Sequence, residues 1–270
     1  MTPLDEYLNL CAKFADIDID TARREALAAV KRHDKKPYNP GDTVEMASLE
    51  TKWYASLAID PKNPDYSVYA DPYYFCETWL CWTKYSKRYL KDIQSSRSMF
   101  GKSIVESMVG VGTVLDLGCG SGYTTVELKK IFPKADVYGT NFEGSSQYAM
   151  SSYLGNLHAF QMRGNHKGLK ADLIFASEYF EHIQTPIEHL IEVLKDCEPK
   201  YLLFANTFNS DAIGHFDSYL HLGNTMSGSQ AGRAFGATLK AHGYEKVPTQ
   251  CWNSRPAFWK RSDCNNLLLM

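Results

Sequence analysis

No apolar run in this sequence approaches the ~20 residues needed to cross a bilayer. The N-terminus, Met1-Thr2-Pro3-Leu4-Asp5-Glu6-Tyr7, has neither the basic nor the apolar region of a signal peptide. A soluble, cytoplasmic chain with no membrane partner is therefore expected. Neither sign of charge prevails: 29 Lys and Arg against 31 Asp and Glu leave a net charge of −2, so no global field draws the chain to nucleic acid. The seven cysteines (11, 76, 81, 119, 197, 251 and 264) contain no C-x-x-C pair. Their odd number favours buried, reduced thiols over a disulfide frame or a zinc site. Internal repeats and low-complexity tracts are lacking. So are the dinucleotide fingerprint G-x-G-x-x-G and the phosphate loop G-x-x-x-x-G-K-[ST].

What is present is ample material for a core: 44% of the 270 residues are hydrophobic. One decapeptide stands out, Thr113-Val114-Leu115-Asp116-Leu117-Gly118-Cys119-Gly120-Ser121-Gly122. β-formers run into three glycines, after which Tyr123–Leu128 reads as a helix. A strand, a glycine turn and a helix bring backbone N–H groups close to a nucleotide-like ligand. Asp116 at the strand end would repel a polyphosphate and welcome a cationic or zwitterionic group.

The pattern D-x-G-x-G-x-G resembles motif I of the class I S-adenosylmethionine-dependent methyltransferases. In that family the glycine loop wraps the methionyl part of the cofactor and the acid helps hold its amino group. The resemblance implies S-adenosyl-L-methionine as cofactor, held by Asp116, Gly118, Cys119, Gly120 and Gly122. The small size of Cys119 suffices to explain it in the loop. Relatives place an acid after the second strand to accept the ribose hydroxyls. Here the text is Thr140-Asn141-Phe142-Glu143, so Asn141 takes that position, Phe142 follows it, and Glu143 is a substitute acid. An amide lacks the charge-assisted bonds of a carboxylate. Asn165 is offered to the adenine edge, beside the alternative of an ordinary polar loop.

The periodicity predicts strands at 113–117, 135–140, 157–162, 171–176, 200–205, 244–249 and 256–260, with helices at 122–131, 144–153, 185–196 and 228–241 between them. Such alternation implies right-handed crossovers. The fold class expected is α/β: a Rossmann-like, seven-stranded, mostly parallel sheet with helices on both faces and a final antiparallel hairpin. The turn-rich Gln250–Arg255 separates the last two strands.

Residues 1–105 form an added N-terminal helical extension, and 106–270 the methyltransferase core. In the extension, helices are expected at about 4–15, at 22–30 behind an Asp20 cap, and at 43–58, with a loop over Lys35–Asp42. Residues 66–90 carry nine aromatic rings, and a helix is expected from Asp71-Pro72 onward. Two readings of it stay open: a helix packed on the core, or a lid enclosing cofactor and substrate.

After the fourth strand comes Ser177-Glu178-Tyr179-Phe180-Glu181-His182, with Ser177 at the cofactor's edge. The E-x-x-E-H text resembles that of ubiquinone-pathway O-methyltransferases and of small-RNA 3′-end 2′-O-methyltransferases. On a helix Glu178, Glu181 and His182 would share one face. With His215, beyond the fifth strand, they could ligate a divalent metal such as Mg²⁺ or Mn²⁺. Two other roles remain: His182, Glu178 or His215 as catalytic base, or a structural network. Missing is the Asp/Asn-Pro-Pro-Tyr/Phe text of exocyclic amino methyltransferases, and no Pro-Cys follows the fourth strand. Methylation of DNA bases loses weight accordingly.

The leading expectation is transfer to an oxygen or nitrogen of a small molecule. A nucleic-acid or nucleotide methyltransferase is the alternative, supported by Lys84, Lys87, Arg88, Lys91, Arg97 and Lys102 among Trp82, Tyr85 and Tyr89. A non-catalytic cofactor-binding subunit is the third.

Overall fold

The computed structural model describes residues 2–33, 44–77, 79, 81–95, 101–252 and 255–263. The expected loop at Lys35–Asp42, Arg97, Asn253, Ser254 and Cys264 lie outside the described residues.

Seven strands form one sheet: β1 (Thr113–Leu117), β2 (Asp136–Thr140), β3 (Gln161–Arg163), β4 (Leu173–Ser177), β5 (Tyr201–Ala205), β8 (Tyr244–Val247) and β9 (Ala257–Arg261). Their order is β3-β2-β1-β4-β5-β9-β8. β1 to β5 are mutually parallel, and β9 runs antiparallel to both β5 and β8. This is the expected Rossmann-like α/β sheet with its closing hairpin. The third strand begins later than expected, because the helix before it runs on to His158.

Alternate side chains of the central strands enter opposite cores, as a period of two demands. Val114, Leu173, Phe175, Tyr201 and Leu203 face one cluster. Leu115, Ile174, Ala176, Leu202 and Phe204 face the other. Helices α5 (Tyr123–Ile131) and α6 (Ser146–His158) cover the first side; α7 (Pro186–Cys197) and α8 (Gly228–Ala241) cover the second.

The N-terminal helices α1 (Pro3–Ala15) and α2 (Ile19–His33) join the first core: Tyr7, Leu8, Cys11 and Ala26 share its cluster with sheet residues. A third helix, α3 (Val44–Ile59), belongs to a separate small cluster through Leu49, Trp53 and Leu57.

Two local expectations are corrected. The aromatic stretch after Asp71 is no regular α-helix. Tyr66–Ala70 and Pro72–Glu77 are 3₁₀ turns, and Cys81–Tyr89 is a π-helix running into α4 (Leu90–Ser95). The rings set the winding. Trp79 lies 4.8 Å from Trp82, which lies 5.1 Å from Tyr123 of α5, while Tyr85 and Tyr89 pack on Ala205 at the end of β5. The second correction is an unexpected hairpin, β6 (Tyr219–His221) and β7 (Asn224–Met226). Its two-residue turn, Leu222-Gly223, has φ of 49° and 79°, the doubly positive turn that suits a twisted hairpin. Leucine at its first position hides the usual Asn-Gly signal.

Candidate functional site

The carboxyl ends of β1, β2, β4 and β5 converge on the glycine turn, where open α/β sheets bind ligands. The turn is tied to β2: Gly118 N–H donates to Thr140 Oγ1 (3.1 Å) and Cys119 N–H to the Thr140 carbonyl (3.0 Å). Asp116 is buried beneath it. Its Oδ2 accepts from Thr124 Oγ1 (2.6 Å) and Thr125 Oγ1 (2.7 Å), so the carboxyl braces the strand end against the first turn of α5. Burial pushes the Asp116 pKa up to about 7, with the two threonine hydroxyls pulling the other way.

The three glycines do different work. A Cβ on Gly122 (φ 87°) would lie 2.9 Å from Ser151 Cβ, and one on Gly118 would lie 2.2 Å from the Tyr179 ring. Gly118 therefore makes room for Tyr179. Gly120 (φ 54°) has open space instead, its nearest neighbour being Gln147 Oε1 at 4.0 Å. Cys119 turns inward, with Sγ 3.8 Å from Met162 Sδ.

Asn141 is committed to the loop. Its Nδ2 donates to the Gly120 carbonyl (2.9 Å) and to Gln147 Oε1 (3.3 Å), and its Oδ1 accepts from Phe142 N–H (2.8 Å). The Glu143 carboxyl leans over Gly164, whose added Cβ would meet it at 2.7 Å. Asn165 Oδ1 is held in its own turn by Lys167 N–H (3.0 Å). Phe142, next to Asn141, is 68% exposed, with its ring 6.4 Å from that of Tyr69. Ser177 Oγ, at the end of β4, is buried without a hydrogen-bond partner. An open glycine face, an unmatched hydroxyl and an exposed ring fit a nucleoside-type cofactor such as S-adenosylmethionine.

The residues after β4 are not helical, which corrects the shared-face expectation. Glu178 has φ 51° and its N–H donates to the Ala205 carbonyl (2.9 Å). Phe180–His182 is a single 3₁₀ turn. Asn206 Oδ1 caps it, accepting from Tyr179 N–H (3.4 Å) and Phe180 N–H (3.3 Å).

Glu178, Glu181 and His215 nevertheless converge, with one ligand atom from each lying within 4.8 Å of the others. Glu181 is fully buried. Its Oε1 accepts from Thr207 N–H (2.6 Å), and no donor reaches Oε2. Burial first, then the Glu178 carboxyl, hold its pKa well above the usual carboxylate range. His215 Nδ1 lies 2.7 Å from the Ser210 carbonyl. An N–H there donates to that oxygen and leaves Nε2 as the ring's acceptor nitrogen. Trp53 Nε1 donates to the His215 carbonyl (2.7 Å).

His182 stands apart from the trio's ligand atoms. Its ring meets His215 edge-on at 4.6 Å, and its Nδ1 lies 2.9 Å from Tyr69 Oη. Burial, then His215, keep its pKa well below the ordinary histidine value. Tyr69 is itself ringed by Tyr66, Tyr74, Trp53 and Phe142.

Sequence reasoning did not single out Tyr69, Gly214, Thr207 or Asn206. Tyr69 was one ring among many. Thr207 acts through its backbone N–H and Gly214 through close approach, which leave no side-chain pattern to read, and Asn206 caps a turn 26 residues away in the chain.

Against this geometry, residues 83–248 match the family described as "Methyltransferase domain". The chain belongs to that family and is an S-adenosylmethionine-dependent methyltransferase. Similar solved structures include the mitomycin 7-O-methyltransferase MmcR. It is 13% identical with a TM-score of 0.47, over 97% of this chain and 74% of its own. The N-terminal domain of EvdMO1 with SAH bound is 10% identical with a TM-score of 0.38, over 58% of this chain and 74% of its own. An O-methyltransferase from a trans-AT PKS multienzyme of Brevibacillus brevis is 20% identical with a TM-score of 0.31, over 36% of each chain. These likenesses are distant, and membership rests on the domain match. No curated protein matches the sequence. Among the described residues, no helix is long and apolar enough to cross a membrane.

Proposed function

We propose that this enzyme methylates an oxygen or nitrogen of a small-molecule acceptor bound between the aromatic extension and the residues after β4. The observation that carries this is the contact of Tyr69 with His182 (2.9 Å). It ties the aromatic extension to the turn that carries Glu178 and Glu181, beside which an acceptor would lie. Two of the basic residues near the π-helix have a structural role beside any nucleic-acid contact: Lys87 Nζ sits over the Trp82 ring at 4.2 Å, and the Arg88 guanidinium sits over Trp252 at 3.9 Å.

S-adenosylmethionine, when bound, supplies a methyl group made electrophilic by its sulfonium. The chain's own residues do the rest. The Gly120 backbone, Ser177 Oγ and the Phe142 ring hold the cofactor, over a loop kept in shape by Asp116 and Asn141. Burial and the neighbouring tyrosines keep the Tyr69 phenol protonated. Donating to His182 Nδ1, it would put the imidazole proton on Nε2. His182 thus serves the acceptor as an orienting donor. Glu178, partly open to the site while Glu181 is fully buried, receives the proton that leaves the acceptor as the methyl arrives. Glu181 and His215 stand behind it.

A divalent cation held by Glu178, Glu181 and His215 is the second reading, favoured by the unmatched Glu181 Oε2. Mg²⁺ or Mn²⁺ there would polarise an acceptor oxygen. His182 is outside that set, its Nδ1 being engaged by Tyr69.

The test is transfer of labelled methyl from S-adenosylmethionine to a panel of phenols, hydroxy acids and amines, run beside RNA and DNA. Label in small molecules supports the proposal; label in nucleic acid alone defeats it. Loss of turnover on chelation, restored by Mg²⁺ or Mn²⁺, would select the second reading.

A further inference from the structure

A second group of ligating side chains lies on the far side of Tyr179, outside the site just described. On α7, His189, Glu192 and Asp196 follow at intervals of three and four residues, hence on one face. His166, in the turn after β3, packs its ring against His189, with centroids 5.4 Å apart. One ligand atom each of His166, Glu192 and Asp196 lies within 4.8 Å of the others.

Two observations mark this cluster as more than a solvated acidic face. The first is His166 itself. The residue is 4% exposed, and its Nε2 is buried without a hydrogen-bond partner, 3.5 Å from Asp196 Oδ2. A buried imidazole nitrogen left unmatched costs about 1–3 kcal/mol. The second is the pairing of Glu192 with Asp196, two like charges one helical turn apart, an arrangement that disfavours a helix unless a cation lies between them. Lys167 Nζ reaches Glu192 Oε1 (3.3 Å) but is two-thirds exposed, so it neutralises one carboxylate from the solvent side.

We propose that His166, Glu192 and Asp196 form a binding site for a divalent transition-metal ion of the Zn²⁺ class, clamping the β3–β4 connection onto α7. One imidazole among the ligands favours such an ion over Mg²⁺ or Ca²⁺, which prefer oxygen alone. Tetrahedral zinc with bonds of about 2.0–2.1 Å sets ligand atoms about 3.3 Å apart. The 3.5 Å between His166 Nε2 and Asp196 Oδ2 already suits such an edge. Glu192, whose side chain is 44% exposed, has the freedom to close the third corner. Water takes the fourth position.

The site has a route to the cofactor loop. His189 Nδ1 faces Glu192 Oε2 at 3.7 Å, and its Nε2 bonds Tyr179 Oη at 2.9 Å. The Tyr179 ring fills the space over Gly118. An ion that draws Glu192 inward therefore acts on a side chain that supports the glycine turn.

The full chain, stripped with chelator, is titrated with Co²⁺ while the visible ligand-field bands are followed, and Zn²⁺ is then added in competition. The wild type should develop tetrahedral bands that Zn²⁺ abolishes. H166N and D196N should each bind at least about tenfold more weakly. D196N alters only a partly exposed helix position, and circular dichroism verifies that it folds. E178Q, in the other cluster, should keep the bands. The proposal fails if the wild type shows no such bands, if H166N and D196N bind like wild type, or if E178Q removes the signal.

Discussion

Tyr69 Oη and His182 Nδ1 lie 2.9 Å apart although 113 residues separate them in the chain. The bond joins a 3₁₀ turn of the N-terminal extension to the turn after β4, so the orientation of one imidazole depends on both halves of the protein.

Y69F removes the hydroxyl and leaves the ring. A buried nitrogen without its partner costs about 1–3 kcal/mol, so kcat should fall about tenfold or more. Affinity for S-adenosylmethionine should stay within about twofold of wild type. An unchanged kcat, measured with an accepted substrate, would remove His182 from the reaction.

Gly214 makes that bond possible. Its φ is 85°, and a Cβ there would lie 1.9 Å from Tyr69 Oη and 2.4 Å from His182 Nδ1. G214A should lose about 1–3 kcal/mol of stability from backbone strain and displaced contacts, together with activity. A urea midpoint equal to wild type would show that the two rings can move aside at no cost.

Asn141 offers a prediction opposite to the family habit. The resemblance to motif I enzymes implies an acid here, yet in this chain the amide nitrogen donates to the Gly120 carbonyl and Gln147. N141D would set a carboxylate against two oxygens and loosen the turn. Calorimetric affinity for S-adenosylmethionine should weaken about five- to tenfold. Tighter binding would mean that position 141 meets the ribose directly.

Asp116 makes stability depend on pH. Its pKa is about 7 in the fold and about 3.9 in an unfolded chain, so the folded state holds the proton more tightly. The contribution is complete below about pH 4 and is lost as pH rises through about 7. D116N keeps one oxygen for Thr124 and Thr125 and cannot ionise. Its unfolding free energy should therefore decline less than that of wild type between about pH 5 and pH 8. Parallel pH profiles for the two proteins would defeat the assignment.

The sequence and the structure agree where the interactions are local. The glycine turn and the strand and helix segments after residue 113 follow from periodicity and turn chemistry within short windows. Glu178 is different. Its left-handed backbone is set by the Ala205 carbonyl, and the turn that follows it by the Asn206 side chain. No window around residue 178 contains either group. Spacing suggested a helical face, and the convergence of Glu178 with Glu181 came about by another route. Tyr69 was hidden for a similar reason: among nine aromatic residues in one stretch, only tertiary packing singles out the ring that reaches the imidazole.

The family match begins at residue 83. Trp53, which holds the His215 carbonyl, and Tyr69, which holds His182, both come before it. A segment cut at that boundary would keep the cradle for the methyl donor and lose the supports of the acceptor side. Under the proposed function, the acceptor side is thus held together partly by residues that lie ahead of the matched domain.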